Sequence, residues 1–328
     1  MTHTTSPIRI GIVGYGNLGK GVAYAIQQNA DLELVAIFTR RAPEALATTS
    51  AVIALDRILE YKGKIDVMLL CGGSSTDLPE QVTQIAAHFH TVDSFDNHGE
   101  IPAYFAKVDQ CAKANHTLSL ISTGWDPGLF SMLRLLGESI LPKGETYTFW
   151  GKGLSQGHSD AIRRLAGVKH GVQYTLPIET ALAKVRAGEY PSFTAAEKHQ
   201  RVCYVVAEEG ADQNEIARAI KTMPNYFEPY HTTVHFITEE ELKRDHNAMP
   251  HGGFVLRSGE TGQGHQQNLE FGLKLESNPE FTAAVLVAFS RAIAKMAKEG
   301  HTGAKTVFDI PLGYLSPKSA EELRASLL

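Results

Sequence analysis

The stretch IRIGIVGYGNLGKG, residues 8–21, limits the possible folds more than any other part of this chain. An apolar run ends at Gly14, and Gly14, Gly16 and Gly19 follow the spacing G-x-G-x-x-G into a segment of helical periodicity. Each glycine has its own physical task. The first permits a tight turn, the second lets the backbone approach a pyrophosphate, and the third lets the helix pack closely on the strand. The helix start then offers unpaired N–H groups to the phosphates. Glycine-rich turns occur in many folds. Here the turn has a strand before it, a helix after it and a second strand about twenty residues on, which is the context of a dinucleotide site.

The rest of the first 120 residues fits the same architecture. Apolar runs at LELVAIF (32–38), IDVMLL (65–70), HTVDSF (90–95) and TLSLIS (117–122) alternate with helix-period stretches at 76–89 and 101–115. Near-continuous apolar strands interleaved with helices predict a parallel sheet covered on both faces. Right-handed crossovers make it a Rossmann-type, doubly wound α/β sheet. Beyond residue 123 the units lengthen, through GLFSMLRLLGESI, the glycine-rich FWGKGLSQGH, VQYTLP, TALAKVRAG, RVCYVVAEE, IARAIKTM, TTVHFIT, GFVLRSG and NLEFGLKLE. They predict a second α/β domain with a mixed or antiparallel sheet. Phe281, Val285, Ala288, Phe289, Ala292 and Met296 recur at helical spacing, and this helix is expected to return to the first domain. The expected domains are 1–123 completed by 279–328, for the dinucleotide, and 124–278; 328 residues suffice for two cores.

The second strand ends in FTRR. A site for NAD usually places an acid near this point to bind the ribose 2′-OH, whereas this chain has Arg40, 21 residues beyond Gly19, and Arg41 beside it. Two guanidiniums suit a 2′-phosphate, so NADP is the expected cofactor; a solvated surface pair is the alternative. LLCGGSSTD (69–77) closes the third run with small residues at a strand's carboxyl end, where such sheets bind ligands. Gly72, Gly73 and Ser74 can let a cofactor pass, while Thr76 or Asp77 can cap the next helix. Cys71 reads as an apolar filler.

Two more strand ends carry acids, in VDSFDNH (92–98) and STGWDPG (122–128). Both open on the edge that holds the glycine turn, so Asp96 and Asp126 are expected beside the nicotinamide with Trp125 as a wall. Paired carboxylates in a partly dry cleft can hold an ammonium group and accept its proton. A turn or cap role for both acids is the alternative.

Other chemistries are excluded. His158, Ser159 and Asp160 are consecutive and cannot face one another as a hydrolytic triad. Fourteen histidines include no HExxH and no cluster of metal-ligand spacing, so no metal is expected. A net charge of −5 gives no broad basic field for nucleic acid or anionic lipid. Cys71, Cys111 and Cys203 form no CxxC pair, which suits a reducing cytosol. MTHTTSPIRIG lacks the pattern of a signal peptide, and FTAAVLVAFSRAIAKM is interrupted by Ser290 and Arg291 and is too short to span a bilayer. A cytoplasmic protein without membrane contact is expected.

GYGNLG, FTRR, TVDSFDNH, STGWDPGLFS, TFWGKGLSQGHSDAIRR, VQYTLP, TMPNYF, MPHGG and NPEFTA occur in this order. Together they resemble the meso-diaminopimelate dehydrogenase family over almost the whole chain. The resemblance implies a reversible, NADP-dependent oxidative deamination of the D-centre of meso-2,6-diaminopimelate. Its products are L-2-amino-6-oxopimelate (tetrahydrodipicolinate on cyclisation), ammonia and NADPH, in lysine and peptidoglycan precursor synthesis, and the implied assembly is a homodimer in which the second domain, 124–278, supplies substrate and dimer contacts.

Cofactor contacts are implied at Tyr15, Gly16, Asn17 and Leu18, with Thr39, Arg40 and Arg41 at the 2′-phosphate. Cys71, Gly72, Gly73 and Ser74, then Ser94, Phe95 and Asp96, then Thr123, Gly124, Trp125, Asp126 and Pro127 line the remainder. Substrate contacts are implied at Asp96, Asp126, Trp150, Gln156, Gly157, Thr175, Arg201, His251 and Asn278, with Asp126 or Asp96 as the catalytic base. A substrate with two carboxylates and two amines needs a fixed cation such as Arg201 and donors such as Thr175 and Asn278. The chain departs from the family pattern at Lys152, often Pro, and at Gly72, often Met. Two other readings use the same residues: a relaxed NADP-dependent D-amino acid dehydrogenase, which needs no cation at a far end, and a non-catalytic dinucleotide-sensing protein, which leaves the acids without a purpose.

Overall fold

The computed structural model describes residues 6–224 and 226–328. The first five residues of MTHTTSPIRIG and Asn225 in TMPNYF lie outside the described residues. The chain forms two compact units, one running to Met132 and resuming at Pro279–Leu328, the other Leu133–Asn278.

In the first unit, β1 (Ile8–Val13), α1 (Asn17–Gln27), β2 (Leu32–Thr39), β3 (Val52–Ala54) and β4 (Val67–Leu70) precede α2 (Leu78–Ala86), β5 (Thr91–Asp93), α3 (Ile101–Ala114) and β6 (Leu118–Leu120). A further strand, Gly303–Lys305, comes from the C-terminal segment. The sheet order is Gly303–Lys305, β6, β5, β4, β1, β2, β3, and every pairing is parallel. The order reverses between β4 and β1, which opens a crevice at the carboxyl ends of those strands.

Both sheet faces are covered, and this is why the strands read as continuous apolar runs. Ile37 and Leu69 join one core with Ile10, Ile12, Leu286, Phe289 and Ile293, whereas their chain neighbours Phe38, Met68 and Leu70 join the other with Val82, Tyr104 and Val108. The long helix Asn278–Lys298 thus contributes to the core under β1. Its Arg291, almost fully buried, is satisfied by both oxygens of Asp31, at 2.5 and 2.8 Å, by Asn29 Oδ1 and by the Leu315 carbonyl. That guanidinium, as hydrogen-bond donor, holds the Asp31 carboxyl below its usual range.

The second unit opens within a helix, α4 (Leu129–Ile140). Its strands are β7 (Gly144–Trp150), β8 (Gly153–Leu154), β9 (Val168–Pro177), β10 (His199–Ala207), β11 (His231–Phe236), β12 (His251–Glu260) and β13 (Gln266–Leu275). The mixed and antiparallel pairings are divided between two sheets. One, β11-β10-β9-β8, is antiparallel except for β10 with β11; the other, β13-β12-β7, is antiparallel throughout. Among the described residues, no helix is long and apolar enough to cross a membrane.

Candidate active site

In the first unit the glycine turn behaves as its spacing requires. Gly14 has φ of +90°, and a Cβ there would stand 3.2 Å from the Cys71 carbonyl oxygen; a Cβ on Gly19 would lie 2.1 Å from the Gly14 oxygen. A Cβ on Gly16 would meet nothing within 4 Å, so that face of the turn is open to a ligand. Gly16 is the cap position of α1, and no acidic residue stands in the first turn. Positive helix-end dipole and open backbone together fit a pyrophosphate.

A cavity of about 320 Å³ begins at this turn and takes in Tyr15, Gly16, Thr39, Arg40, Arg41, Cys71, Gly72 and Gly73. Arg41 Nη2 donates to the Tyr15 carbonyl at 2.5 Å, and the Arg41 N–H donates to Thr39 Oγ1 at 3.1 Å. Arg40 donates to Asp77 Oδ1 at 2.6 Å, while Asp77 Oδ2 accepts from the Gly73 N–H at 2.8 Å. Asp77 occupies the cap position of α2 but makes no capping bond to that helix. Gln81, one turn further on, turns a buried Oε1 that has no hydrogen-bond partner. Two adjacent guanidiniums, one paired with a carboxylate and one with a backbone carbonyl, fit the phosphorylated end of NADP. Burial pushes the Cys71 thiol up to about 12, so it is a filler here and no nucleophile.

The remaining expected cofactor residues lie outside this cavity. Asn17 and Leu18 form the first turn of α1, with the Leu18 side chain packed on the core. Ser74 follows β4, and its Oγ accepts from the Asp96 N–H at 2.9 Å. Ser94, Phe95 and Asp96 follow β5; Phe95 is buried and Asp96 exposed. Thr123 to Pro127 follow β6 in a turn closed by bonds from Leu129 N–H to the Gly124 oxygen at 3.0 Å and from Phe130 N–H to the Trp125 oxygen at 2.8 Å. Trp125 is buried edge-on to Phe130, with centroids 5.3 Å apart, and Asp126 is half-buried at the tip. The two acid-bearing loops therefore leave neighbouring strands at the same sheet edge.

In the second unit, strand register does the gathering. Thr175 and Arg201 are partners across β9 and β10, Gly153 pairs with Thr175 from β8, and Trp150 pairs with Gly253 on β12. Arg201 is buried; its Nη1 donates to Thr175 Oγ1, and its guanidinium carbon lies 4.0 Å from the Tyr230 ring centroid. Among the described residues no carboxylate pairs with it, and its Nε has no partner. Gln173, two residues before Thr175, donates to Thr175 Oγ1 at 3.3 Å and keeps a buried, unpartnered Oε1.

Trp150 donates its backbone N–H to His199 Nε2 at 2.9 Å, and the two rings stack 5.3 Å apart. Burial, with Arg201 nearby, pushes His199 down to about 3, so its imidazole is a neutral acceptor. His251 stands against Gly153, where a Cβ would come 2.4 Å from its ring. Gln156 donates to Met249 Sδ at 3.0 Å, Asn278 N–H donates to the Met249 oxygen at 2.9 Å, and Gly157 lies open beside Gln156. His158 pairs with Ser155 Oγ at 2.7 Å and packs edge-on to Phe227, away from any triad.

Comparison with known proteins decides the family. Residues 124–277 match the family model for the Diaminopimelic acid dehydrogenase C-terminal domain. The chain is 61% identical to a meso-diaminopimelate D-dehydrogenase of Ureibacillus thermosphaericus, over 98% of this chain and 100% of that protein. The chain belongs to the meso-diaminopimelate D-dehydrogenase family. Its structure is similar to that of C. glutamicum DAP dehydrogenase in complex with DAP, with a TM-score of 0.94, 44% identity and coverage of 99% and 100%. It is also similar to an engineered D-amino acid dehydrogenase bound to NADP+, with a TM-score of 0.89, 42% identity and coverage of 98% and 100%.

The two departures from the family pattern of the meso-diaminopimelate D-dehydrogenases fall in different surroundings. Lys152 follows a cis peptide from Gly151. A side chain at Gly72 would place its Cβ 2.7 Å from Asp77 Cβ and 3.1 Å from Gln81 Oε1, so glycine makes the room those two occupy. Sequence reasoning missed Gln81, Gln173, His199 and Tyr230. Two signals existed: Gln173 and His199 each lie two residues from an expected substrate contact, on the same strand face, and Gln81 lies one helical turn beyond Asp77.

Proposed function

We infer that this chain carries out the NADP-dependent oxidative deamination of the D-centre of meso-2,6-diaminopimelate, giving L-2-amino-6-oxopimelate, ammonia and NADPH, reversibly. The observation that carries the reading is Arg201, a buried guanidinium bonded to Thr175 and without a carboxylate of its own among the described residues. A cation withdrawn from water in this way gains a counter-charge when a ligand brings an anion. Diaminopimelate brings one at each end.

Tyr15 to Leu18, Cys71 to Ser74 and the Arg40–Arg41 pair would hold NADP, which supplies the acceptor for the hydride leaving Cα. The chain's own groups do the rest. Asp126 and Asp96 hold the reacting amine, and one of them takes a proton from it, so that the nitrogen lone pair can form the C=N bond as the hydride leaves. Water then adds to the imine carbon, and ammonia departs to leave the ketone. Arg201, Thr175 and Asn278 hold the far carboxylate, while Trp150, Gln156, Gly157 and His251 bound the substrate between its ends. Unit one serves as the dinucleotide domain, completed by the C-terminal segment, and unit two as the substrate domain.

A homodimer in the cytoplasm is the working form; exposed Leu269 and Phe271 on one face of β13 support a surface that a second copy covers. The chemistry is tested by following NADPH formation with meso-, DD- and LL-diaminopimelate and with a simple D-amino acid, using NADP and NAD in turn. Turnover of the meso isomer with NADP and none of the LL isomer is expected. No turnover of meso-diaminopimelate overturns the reading, and a faster rate on the simple D-amino acid replaces it with the relaxed dehydrogenase.

A further inference from the structure

One buried acid takes no part in the reaction described above. Asp93 ends β5, three residues before Asp96, and is fully buried. Its Oδ1 accepts from the Phe95 N–H at 3.0 Å and from the Ser122 N–H at 3.1 Å, and its Oδ2 accepts from the Tyr104 hydroxyl at 2.9 Å. Its backbone oxygen also accepts from the Thr123 N–H at 2.9 Å. A single residue therefore fastens the start of two loops, the one that leads to Asp96 and the one that leads to Asp126.

The surroundings reinforce both attachments. Tyr104, on α3, stacks on Phe95 with ring centroids 4.0 Å apart and planes 7° from parallel. Ser122 has φ of 53°, in the left-handed region that a residue with a side chain rarely adopts. The bond from its N–H to Asp93 holds it there. Asp96 extends the connection to Ser74 on a third loop. Burial pushes the Asp93 carboxyl up to about 6 against the pull of its three donors. A carboxylate suits the place because it is acceptor-only, with two oxygens and room for several donors.

We propose that Asp93 is a positioning residue, one that fixes the separation of Asp96 and Asp126 by binding both of their loops with one carboxylate. This deepens the deaminase reading and rests on it. Asp93 touches neither substrate nor cofactor in this role; its effect passes through the placement of the two acids. Displacing a reacting group by about 1 Å costs on the order of 10²-fold in rate.

The test uses the full-length enzyme and two variants, with kcat, KM for meso-diaminopimelate, NADPH binding by fluorescence and thermal unfolding measured on each. Asp93→Asn keeps an acceptor oxygen for both backbone N–H groups and turns an amide toward the Tyr104 oxygen, so it should retain at least about a third of kcat. Asp93→Ala should bind NADPH within about threefold of the parent yet lose about 30-fold or more in kcat, in excess of any loss of folded protein. An alanine variant that folds and keeps kcat within threefold overturns the proposal. So does a well-folded asparagine variant as inactive as the alanine one, since charge and not placement would then be at work.

Should Asp93→Ala not fold, the pair Asp93→Leu with Tyr104→Phe, which fills the space and removes both polar side chains, is held to the same thresholds. Failure of both to fold beside a sound asparagine variant makes Asp93 a folding determinant and also overturns the proposal. A parent enzyme inactive on meso-diaminopimelate is a separate outcome, which sinks the deaminase reading itself.

Discussion

The two units place their proposed ligand-binding cations in opposite ways. Arg40, at the cavity of the first unit, has a side chain 70% exposed and already paired with Asp77. Arg201, in the second, is 8% exposed and has no carboxylate among the described residues. An exposed pair is screened and exchanges partners at little cost. A buried guanidinium has lost its hydration and recovers it only through hydrogen bonds and a counter-charge. Under the proposed function, the first arrangement would adjust affinity for a ligand that backbone N–H groups also hold, whereas the second would define which ligand binds at all.

The largest effect should come from breaking the second arrangement. Arg201→Met should lower kcat/KM for meso-diaminopimelate by roughly 10²–10³-fold, the scale of a lost buried charge contact. The thermal midpoint should hold or rise, because an apolar chain of similar size replaces a desolvated cation. Steady-state kinetics and a thermal melt decide this together. A melt that collapses along with activity would make Arg201 a folding residue and remove the contrast with Arg40.

A second contrast lies in what each unit buries. In the second unit burial pushes His199 down to about 3 and His158 to about 4; in the first, burial pushes Asp93 up to about 6. As pH falls below about 6.5, an unfolded histidine takes up a proton that folded His199 refuses, so stability is lost, by on the order of 4 kcal/mol toward pH 3. Asp93 works the other way. Between about pH 4 and 6 the folded acid keeps a proton that the unfolded chain has released, and its contribution, on the order of 3 kcal/mol, is lost as pH rises. The two slopes oppose each other in the parent protein. In His199→Gln, which keeps an acceptor for the Trp150 N–H, acid unfolding should be gentler than in the parent by roughly 3 kcal/mol between pH 6.5 and 4. Denaturant melts at both pH values measure it, and an unchanged difference would show that His199 titrates normally in the fold.

The first unit was far more legible in the sequence than the second, and the reason is physical. Gly14 holds a positive φ and Gly19 sits where a Cβ would collide with backbone, so their spacing is forced by geometry and shows in the sequence as a motif. The strands β1 and β2 are buried on both faces and announce themselves as apolar runs. Short elements held by neighbours carry no such signal: β3 and Gly303–Lys305 are three residues each and were not expected. In the second unit the cluster around Arg201 depends on register between strands far apart in sequence. Thr175 and Arg201 were expected only through family resemblance, and Gln173, His199 and Tyr230 not at all. Periodicity shows which face a residue occupies but not which residue stands opposite.

The first arrangement is broken more gently. Replacing Arg40 and Arg41 together with serine should raise the KM for NADP by roughly 10- to 100-fold and leave that for NAD within about threefold, since charge-assisted bonds to the 2′-phosphate are lost and the glycine turn is untouched. Equal losses for the two cofactors would show that the pair does not read the 2′-phosphate.

The smallest expected effect is the sharpest test of what separates the two cations. Asp77 binds Arg40 with one oxygen and the Gly73 N–H with the other, at the edge of the same cavity. If it merely neutralises Arg40 until a phosphate arrives, it competes with the cofactor. Asp77→Asn keeps an acceptor for Gly73 and removes the charge, so NADP should bind more tightly by up to about fivefold, the scale of one exposed ion pair, with NAD nearly unchanged. Competition titrations of the two cofactors against NADPH fluorescence resolve a shift of that size. Weaker NADP binding would mean that Asp77 aims the guanidinium instead of occupying it. Arg40 would then be held in place for its ligand, as Arg201 is by Thr175, and the difference between the units would reduce to depth of burial.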